Sequence, residues 1–588
     1  MEAALSDPAA GRTREGDRTI LEVLLRHADA APQQLAYRFL AGGDAEAESL
    51  SFRQLADRTR AFAASLHASQ EPGSCVLLLL DSGLSFIEAM FACMYAGVVP
   101  VAVDLPRPNR STDRLEAIVR HSGCRSFITS KGDLPRVEKL MAALPALAAL
   151  ECYLVDTEAA GPAAAKLVLP HPGPEATAFI QYTSGSTSTP KGVVVTHGNL
   201  IANQIQIKAA FAHDERTKFC GWLPMFHDMG LIGNVLHPLF LGVECTLMPP
   251  AAFVQRPLRW LAAISKYRAT TSGGPNFAFD HCVARIADAD LEQLDLSSWR
   301  TAFSGAETVR AATLRDFARK FERAGFDATA FLPCYGLAEA TLFVTGHSRY
   351  GRAAPKLLRV DRADLERGLV RPAGDATDDA ATVELVSNGP PAQGQRVEIV
   401  DPDTGKPCAP GEVGEIWIGG PNVAPAYAHD PEKTAATLQA HLPGSSARFL
   451  ATGDLGALWE GELLVVGRLK NLIIVRGRKI HAEDIEQIVG RSHALFQSSR
   501  CAAFAVQVGE EEAVVVVQET LRRPRSEAEI AQAVAHARDV MTAQLDLAPR
   551  DVVLVAPGFI PVTTSGKIRH AALRAMYLRG EVQAVPAR

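Results

Sequence analysis

The sequence YTSGSTSTPKG, residues 182–192, lies between the apolar runs ATAFIQ and VVV. It combines serines and threonines with two glycines, one proline and one lysine. Glycines allow backbone N–H groups to converge on one point, hydroxyls add donors, and Lys191 adds a positive charge. This composition is typical of a loop that binds a polyanion, most often phosphate. A Walker A loop is excluded, because Lys191 is followed by Gly192 and Val193 rather than by serine or threonine. Composition alone is equally compatible with a polar surface loop.

Short apolar stretches alternate with helical stretches on both sides of this loop. CVLLLLD (75–81), CRSFITS (124–130) and ATAFIQYT (176–183) read as strands, and LEAIVRHS (115–122) reads as a helix. Such alternation predicts an α/β fold with a mostly parallel, doubly wound sheet. The polar loop directly follows a predicted strand, which is where open α/β sheets bind ligands.

The pattern changes twice toward the C-terminus. From about residue 384, closely spaced strands with Gly and Pro turns predict a small β-rich subdomain over 384–468. A hairpin, an amphipathic helix and a further strand then predict a compact α+β domain over 469–588. We therefore expect a large N-terminal domain over 1–468, with α/β subdomains over 1–383.

Composition describes a soluble globular protein. The 588 residues are 47% hydrophobic and 21% charged, with a formal net charge of −6, which does not favour nucleic acid as a partner. The ten cysteines form no CxxC pair, so they fit reduced thiols better than zinc ligands or disulfides. The apolar run CVLLLL (75–80) is far shorter than the roughly 20 residues of a membrane span. We expect a cytoplasmic protein without stable membrane insertion.

Seven motifs occur in a fixed order along nearly the whole chain. They are YTSGSTSTPKG (182–192), GWLPMFHDMGLIG (221–233), FSGAE (303–307), YGLAEAT (335–341), TGDLG (452–456), GRLKNLIIVRG (467–477) and PVTTSGKIR (561–569). Together they resemble the adenylate-forming superfamily of acyl-CoA synthetases, luciferases and peptide-synthetase adenylation domains. PMFHDMGLIG and YGLAEAT resemble the fatty acyl-AMP ligases, which make acyl adenylates and load acyl carrier proteins rather than coenzyme A.

The chain between Tyr335 and the predicted strand QRVEIVD (395–401) is longer than in ordinary acyl-CoA synthetases. An insertion there, at about residues 349–380, is typical of the acyl-AMP ligase branch. We expect it to pack against the C-terminal domain and restrain rotation about a hinge at Lys470, which would disfavour coenzyme A. A lengthened surface loop without functional consequence is the alternative.

The resemblance implies that a fatty acid carboxylate attacks the α-phosphorus of ATP and releases pyrophosphate, with Mg²⁺ as a cofactor. Both reactants are anionic, so catalysis would rest on positioning and charge neutralisation. Glu339 would be the catalytic Mg²⁺ carboxylate, although a glutamate at a helix start also serves as a cap. The implied phosphate-binding residues are Thr183, Ser184, Gly185, Ser186, Thr187 and Lys191.

The resemblance also implies contacts to the nucleoside and to the reacting groups. Tyr335 and Gly336 would contact adenine, and Asp454, assisted by Arg468, would accept hydrogen bonds from both ribose hydroxyls. The structural alternatives are that Tyr335 is an ordinary core residue and that Asp454 is a turn residue. Lys567 would be catalytic and reach the acyl carboxylate and the α-phosphate. The backbone residues expected to line the base are Gly305, Ala306 and Glu307.

His227 lies where the family places a catalytic residue at the mouth of the acyl site. Asp228 leaves a second possibility open, because peptide-synthetase domains use an aspartate near this position to bind the α-amino group of their substrate. Apolar residues also make up any hydrophobic core, so the sequence does not reveal the chain length of the substrate. Ala338 and Asn471 depart from the threonine and the acidic residue of many family members. The predicted substrate-binding residues are Met225, Asp228, Leu231, Ile232, Gly274 and Phe277.

These motifs predict a fatty acyl-AMP ligase for a medium- to long-chain fatty acid. The acceptor would be the phosphopantetheine of a separate acyl carrier protein in polyketide, nonribosomal peptide or lipid synthesis. A fatty acyl-CoA ligase is the first alternative. A catalytically inactive protein that binds an acyl nucleotide is the second, and the presence of Glu339, Asp454 and Lys567 argues against it.

Overall fold

The structure is a computed structural model. It describes residues 18–107, 111–156, 172–183, 190–347, 353–374, 378, 381–475, 478–496, 499–508, 511–563 and 566–587.

A seven-stranded sheet contains the strand that leads into the polar loop. Its five strands from Thr177–Thr183 to Glu151–Leu154 pair in parallel, and the two remaining pairings are antiparallel. Strand Ser126–Thr129 is buried along its whole length, as expected when helices cover both faces of a sheet. In spatial order the strands are Ala426–Tyr427, Lys191–Thr196, Thr177–Thr183, Val99–Ala102, Cys75–Leu78, Ser126–Thr129 and Glu151–Leu154.

An eight-stranded sheet forms the second layer. Its inner strands are parallel and its two edge pairings are antiparallel, so the mostly parallel, doubly wound α/β prediction is confirmed. In spatial order the strands are Phe343–Gly346, Phe331–Gly336, Thr301–Ser304, Thr271–Gly274, Phe219–Gly221, Cys245–Leu247, Leu35–Phe39 and Glu48–Ser51.

Helices cover these sheets. Helix Leu84–Ala96 is apolar on nearly every side and almost entirely buried, which is typical of a helix enclosed in a core. A π-helix, Met229–Leu236, begins directly after the FHD segment, residues 226–228. The other α-helices of this region are Ile20–Ala30, Phe52–Ser69, Asp113–Ser122, Leu134–Ala143, Pro145–Ala148, His197–Phe211, His237–Leu241, Pro250–Gln255, Leu258–Tyr267, Asn276–Arg285 and Ala311–Phe321.

The region predicted as β-rich forms an antiparallel sheet of five strands. These are Arg396–Val400, Gly414–Gly419, Arg448–Trp459, Ala440–His441 and Glu462–Arg468, and a short helix, Pro431–Lys433, precedes Ala440–His441.

The predicted insertion has secondary structure of its own. Strand Leu357–Asp361 leads into helix Arg362–Glu366 and pairs antiparallel with strand Thr382–Val386. Asp361 caps the helix, because its Oδ1 accepts hydrogen bonds from two backbone N–H groups of the first turn. Residues 348–352, 375–377 and 379–380 lie outside the described residues.

The C-terminal region contains the predicted hairpin, helix and strand. Strands Cys501–Val508 and Glu511–Glu519 pair antiparallel, and Asp551–Val555 adds in parallel beside the second. The region has hydrophobic clusters of its own, which supports a separate domain. The other elements are the strand pair Leu472–Val475 and Arg478–His481 and the helices Ala482–Ser492, Glu527–Leu545 and His570–Leu578.

Two further findings bear on the composition. All ten cysteines are free thiols. Within the described ranges, no helix combines the length and the apolar composition needed to cross a bilayer.

Candidate active site

A cleft of about 1980 Å³ lies beyond the carboxyl ends of the central strands of the eight-stranded sheet. Residues of both the N-terminal and the C-terminal regions line it, although the sequence separates them by hundreds of positions. The predicted site residues that line this cleft are Thr183, Lys191, His227, Asp228, Phe277, Ala306, Glu307, Tyr335, Gly336, Glu339, Asp454, Arg468, Lys470 and Lys567.

Asp454 is held at both of its carboxylate oxygens. The Tyr335 hydroxyl donates to Asp454 Oδ2 at 2.8 Å, and Arg468 Nε donates to Asp454 Oδ1 at 2.6 Å. Asp454 and Arg468 face each other across two antiparallel strands, so the sheet register sets the pairing. The negative charge of Asp454 raises the pKa of Arg468, and burial raises the pKa of Tyr335. A carboxylate fixed in this way still has lone pairs for a vicinal diol.

Two of the predicted nucleotide-binding glycines are also required by packing. A Cβ atom at Gly336 would lie 1.7 Å from the backbone oxygen of Leu342, and one at Gly305 would lie 2.9 Å from that of Cys334. A side chain at either position would therefore push the strand away from its neighbour. Close backbone approach explains these glycines independently of any ligand.

Glu339 and Lys191 also line the cleft, and the charge of Glu339 acts on that of Lys191. The Tyr427 hydroxyl donates to Glu339 Oε1 at 2.9 Å, and Lys191 Nζ lies 5.9 Å from the centroid of the Tyr427 ring. Burial, reinforced by the charge of Lys433, lowers the pKa of Lys191 to about 8. The loop residues Ser184, Gly185, Ser186 and Thr187 lie outside the described residues, so their phosphate contacts stay a prediction.

The residues present fit a magnesium ion shared with phosphates. In the described part of the chain, no group of three or more His, Cys, Asp and Glu side chains is arranged to hold a metal. A single hard carboxylate, Glu339, lies beside the strand end that leads into the phosphate-type loop. Mg²⁺ is normally bound through one or two protein carboxylates together with phosphate oxygens and water.

Lys567 is brought into the cleft by a tight turn of the C-terminal region. The Thr563 N–H donates to the Lys567 carbonyl oxygen at 2.7 Å, and Gly566 has a φ of 87°, which favours glycine. A Cβ atom at Gly566 would lie 3.8 Å from Phe277, so the turn contacts the N-terminal region. Burial and the positive charge of Arg468 lower the pKa of Lys567.

The charges of three carboxylates, Asp228, Asp454 and Glu307, act on the Lys567 ammonium and favour its charged form. Burial raises the pKa of Glu307, and its Oε1 accepts a hydrogen bond from the Phe277 N–H at 3.1 Å. The lysine is thus aimed between the predicted ribose site and the predicted acyl site. Positive charge at this position suits two anionic reactants.

His227 and Asp228 form a pair at the start of the π-helix. His227 Nδ1 lies 2.5 Å from Asp228 Oδ1, which also accepts from the Met229 N–H at 2.7 Å. Burial acts to raise the pKa of Asp228, but His227 and Lys567 outweigh it and lower that pKa. The Asp228 carboxylate is therefore already engaged, which disfavours the amine-gripping alternative.

The predicted acyl contacts fall into two groups. Asp228 and Phe277 line the cleft, whereas Met225, Leu231 and Ile232 are buried in the main hydrophobic core. Gly274 lies against the indole of Trp222, because a Cβ there would be 2.9 Å from Trp222 Cζ2. The substrate roles of all six residues stay predictions.

Lys470 lies in a 3-10 turn, Leu469–Asn471, between the β-rich sheet and the C-terminal region. Asn471, which replaces the acidic residue of many family members, donates from Nδ2 to Glu483 Oε1 at 3.4 Å, a contact within the C-terminal region. The hinge role of Lys470 stays a prediction.

Sequence reasoning missed several residues that line the cleft or contact its lining. Gln181 Nε2 donates to the Phe226 carbonyl oxygen at 2.7 Å and so supports the FHD segment. Tyr427 reaches Glu339 because its strand pairs with Lys191–Thr196. Trp222 lies within a predicted motif without having been given a role. No local signal marks these contacts, because each one depends on pairing between distant segments.

Comparison with known proteins gives concordant results. The AMP-binding enzyme family matches residues 24–428. A medium-chain fatty acid–acyl-carrier-protein ligase of Moorena producens is 39% identical over 574 residues, which cover 97% of each chain. The solved structure of a fatty acyl-adenylate ligase from L. pneumophila, in complex with acyl adenylate and pyrophosphate, has 35% identity and a TM-score of 0.75 over 97% of each chain.

A second solved structure, from work on fatty acyl-adenylate ligases from E. coli and L. pneumophila, has a TM-score of 0.85 at 31% identity. The match covers 96% of this chain and 98% of that one. The chain therefore belongs to the AMP-binding enzyme family, and the predicted resemblance to its fatty acyl-AMP ligases is confirmed.

Proposed function

We propose that the protein activates a medium- to long-chain fatty acid with ATP and transfers the acyl group to the phosphopantetheine of a separate acyl carrier protein. The observation that carries this proposal is the position of Lys567, which lines the same cleft as Asp454, Asp228 and Glu307 and interacts with their charges. A cation between the ribose carboxylate and the acyl mouth suits the adenylation half-reaction. In that half-reaction the anionic carboxylate approaches the anionic α-phosphate, and negative charge then moves to the departing pyrophosphate.

In this reaction a fatty acid carboxylate oxygen forms a bond to the α-phosphorus, and the bond from that phosphorus to the bridging oxygen of pyrophosphate breaks. The products are the acyl-AMP mixed anhydride and pyrophosphate. Lys567 would neutralise charge at the reacting centre, and Lys191 would hold the terminal phosphates. Bound Mg²⁺ at Glu339 would neutralise charge on the phosphates and on the departing pyrophosphate. Asp454 would orient the ribose, so that the α-phosphate stays in line with the acid.

Raising the pH from 7 to 9 should lower kcat/KM for ATP, with a midpoint near the pKa of Lys191, about 8. The parameter kcat/KM follows the ionisation of the free enzyme, and Lys191 loses its charge as the pH rises through this range. Pyrophosphate exchange into ATP measured against pH tests this. The Lys191→Arg variant keeps its charge and should lack the alkaline decline. An unchanged decline in that variant would contradict the assignment.

Transfer to a carrier protein is supported by the relative from Moorena producens, which is named for an acyl-carrier-protein acceptor. A polyketide synthase, a peptide synthase or a lipid pathway would provide such a carrier. Coenzyme A as the acceptor is the second candidate.

The function is tested by incubating the protein with ATP, Mg²⁺ and fatty acids of increasing length, followed by pyrophosphate exchange and mass analysis of the products. We expect acyl-AMP without an acceptor and an acylated carrier when a phosphopantetheinylated carrier protein is added. Acyl-coenzyme A as the main product would favour the second candidate. No exchange with any acid would refute the proposed adenylation.

The insertion contacts the C-terminal region through a bidentate ion pair. Arg478 Nη2 donates to Glu366 Oε1 at 2.8 Å, and Arg478 Nε donates to Glu366 Oε2 at 2.9 Å. The same Arg478 Nη2 also donates to the Leu545 carbonyl oxygen at 2.7 Å. Glu366 ends the insertion helix, so the pair ties the insertion to the region expected to rotate. This arrangement supports the hypothesis that the insertion restrains the C-terminal domain.

Replacing Glu366 with glutamine should raise coenzyme A thioester formation about fivefold, since a partly exposed ion pair contributes about 1 kcal/mol. The adenylation rate should change little. Thioester formation is measured with saturating acid, ATP and coenzyme A.

The matched control is Glu529→Gln, which removes a bidentate pair with Arg522 inside the C-terminal region. That variant should leave thioester formation unchanged. Equal effects of the two substitutions, or no gain in a folded Glu366→Gln protein, would contradict the restraint.

A further inference from the structure

The cleft continues inward along the eight-stranded sheet, away from the nucleotide site. Phe303 lines its middle, and the Phe211 ring lies 6.2 Å from Phe303 and 5.3 Å from the His213 ring, centroid to centroid. At the inner end, His213, Phe219 and His237 also line the cleft. Centroid distances of 5.1 Å between His213 and each of the other two rings make this end a packed aromatic wall.

The two histidines of this wall belong to one hydrogen-bonded chain. His237 Nδ1 contacts Gln204 Oε1, His237 Nε2 lies 2.9 Å from His213 Nδ1, and His213 Nε2 lies 3.0 Å from Thr271 Oγ1. Burial lowers the pKa of His213 to about 3 and that of His237 well below its usual range, so both rings are neutral.

Neutral rings allow a single direction of donation along this chain. The amide oxygen of Gln204 can only accept, so His237 Nδ1 carries a hydrogen and its Nε2 accepts from His213 Nδ1–H. The His213 Nε2 then accepts from the Thr271 hydroxyl. All ring nitrogens of both histidines are therefore engaged within the wall. A chain end that reaches the wall meets ring faces and C–H groups, which suit a methyl group.

We call the inner part of the cleft, from Phe277 to the wall of His213 and His237, the acyl tunnel. One strand of the sheet gives a scale for its depth. His213 contacts Thr271, the first residue of strand Thr271–Gly274, whereas the other end of the strand adjoins Phe277 and the turn of Lys567. Three residue steps along a strand span about 10 Å. An extended alkyl chain advances about 1.3 Å per carbon, so about eight carbons fit between these two levels.

We infer that His213 and His237 form the end wall of the acyl tunnel and limit the substrate to medium-chain acids with an unsubstituted methyl end. This inference rests on the proposed adenylation of a fatty acid and adds its chain-length class. Both histidines act as specificity-determining residues through shape, without taking part in the chemistry.

Gly233 provides a way to shorten the same tunnel. It lines the cleft on the π-helix, one turn before His237, and the nearest atom to a Cβ placed there is Leu342 Cδ2 at 3.6 Å. That distance is ordinary van der Waals contact, so Gly233→Ala adds a methyl group without displacing backbone. His237→Ala has the opposite effect, because it removes an imidazole from the wall.

The experiment measures kcat/KM for pyrophosphate exchange with saturated acids from C6 to C16. The wild type should be most efficient at about C8 to C10. His237→Ala should raise the ratio of dodecanoate to octanoate about tenfold or more, because each newly buried methylene group is worth about fourfold in binding. Gly233→Ala should lower the same ratio about fourfold.

His197→Ala is the matched control, because His197 is also buried, with a pKa lowered to about 4, and lines a different cavity. It should leave the chain-length profile unchanged. A further comparison, of two acids as substrates of the wild-type protein, needs no variant. 8-Hydroxyoctanoate should be used about tenfold less efficiently than nonanoate, which has the same number of heavy atoms but a methyl end.

An unchanged profile in folded His237→Ala and Gly233→Ala proteins would overturn the inference, as would equal use of 8-hydroxyoctanoate and nonanoate. These outcomes are distinct from failure of the proposed function, in which the wild type exchanges pyrophosphate with no acid at all.

Discussion

Replacing Lys567 with alanine should lower the rate of acyl-adenylate formation by about 10²–10³-fold, the usual cost of removing one preorganised group that stabilises transition-state charge. The charges of Asp228, Asp454 and Glu307 act on Lys567, so the loss of this lysine shifts the local charge toward negative, which disfavours the two anionic reactants. The effect should fall mainly on kcat. Pyrophosphate exchange and single-turnover formation of acyl-AMP both measure it.

The control for this variant is Lys479→Ala, which removes an exposed lysine from the same C-terminal region. It should keep wild-type activity, and both variants should melt close to the wild-type temperature. Unchanged adenylation in Lys567→Ala would revive the hypothesis of an inactive protein that binds an acyl nucleotide.

Replacing Glu339 with glutamine should lower adenylation about a hundredfold at a fixed Mg²⁺ concentration, which corresponds to about 2.7 kcal/mol of transition-state stabilisation. The amide keeps the shape of the side chain and still accepts a hydrogen bond from Tyr427, but it loses the charge that favours a hard divalent cation. A Mg²⁺ titration of the adenylation rate should show a much weaker apparent affinity.

Tyr427→Phe is the companion variant, because it keeps the Glu339 carboxylate and removes the hydroxyl that orients it. We expect at most about a tenfold loss, which is typical of a group one step removed from a metal. If Glu339→Gln kept the wild-type Mg²⁺ dependence, the metal assignment would be wrong, and Glu339 would serve only as the acceptor for the Tyr427 hydroxyl, because its side chain does not cap the turn Ala338–Ala340.

The residues assigned to the nucleotide were recognisable in the sequence, and their contacts with the nucleotide stay predictions. Tyr335, Asp454 and Lys567 were assigned through motifs that resemble those of the adenylate-forming superfamily, and all three line one cleft. The position of the polar loop after strand Thr177–Thr183 was also readable, because it depends only on local apolar runs and turn residues.

The acyl side was less predictable. Met225, Leu231 and Ile232 share a motif with His227, but all three are buried in the main hydrophobic core, the last two on the π-helix. Apolar side chains carry no local mark that separates a tunnel wall from ordinary packing.

The sequence by itself determined the α/β alternation and the order of the regions, because strand and helix periodicity are local properties of the chain. Its seven motifs also carried the resemblance to adenylate-forming enzymes, which implied the chemistry. Only the tertiary structure decided which distant groups meet. The joining of Glu366 to Arg478, of Tyr427 to Glu339 and of His213 to His237 depends on sheet register and on packing between layers. Sheet register and layer packing are not encoded in any one segment. Each of these contacts forms only when the two segments that supply its residues pack against each other.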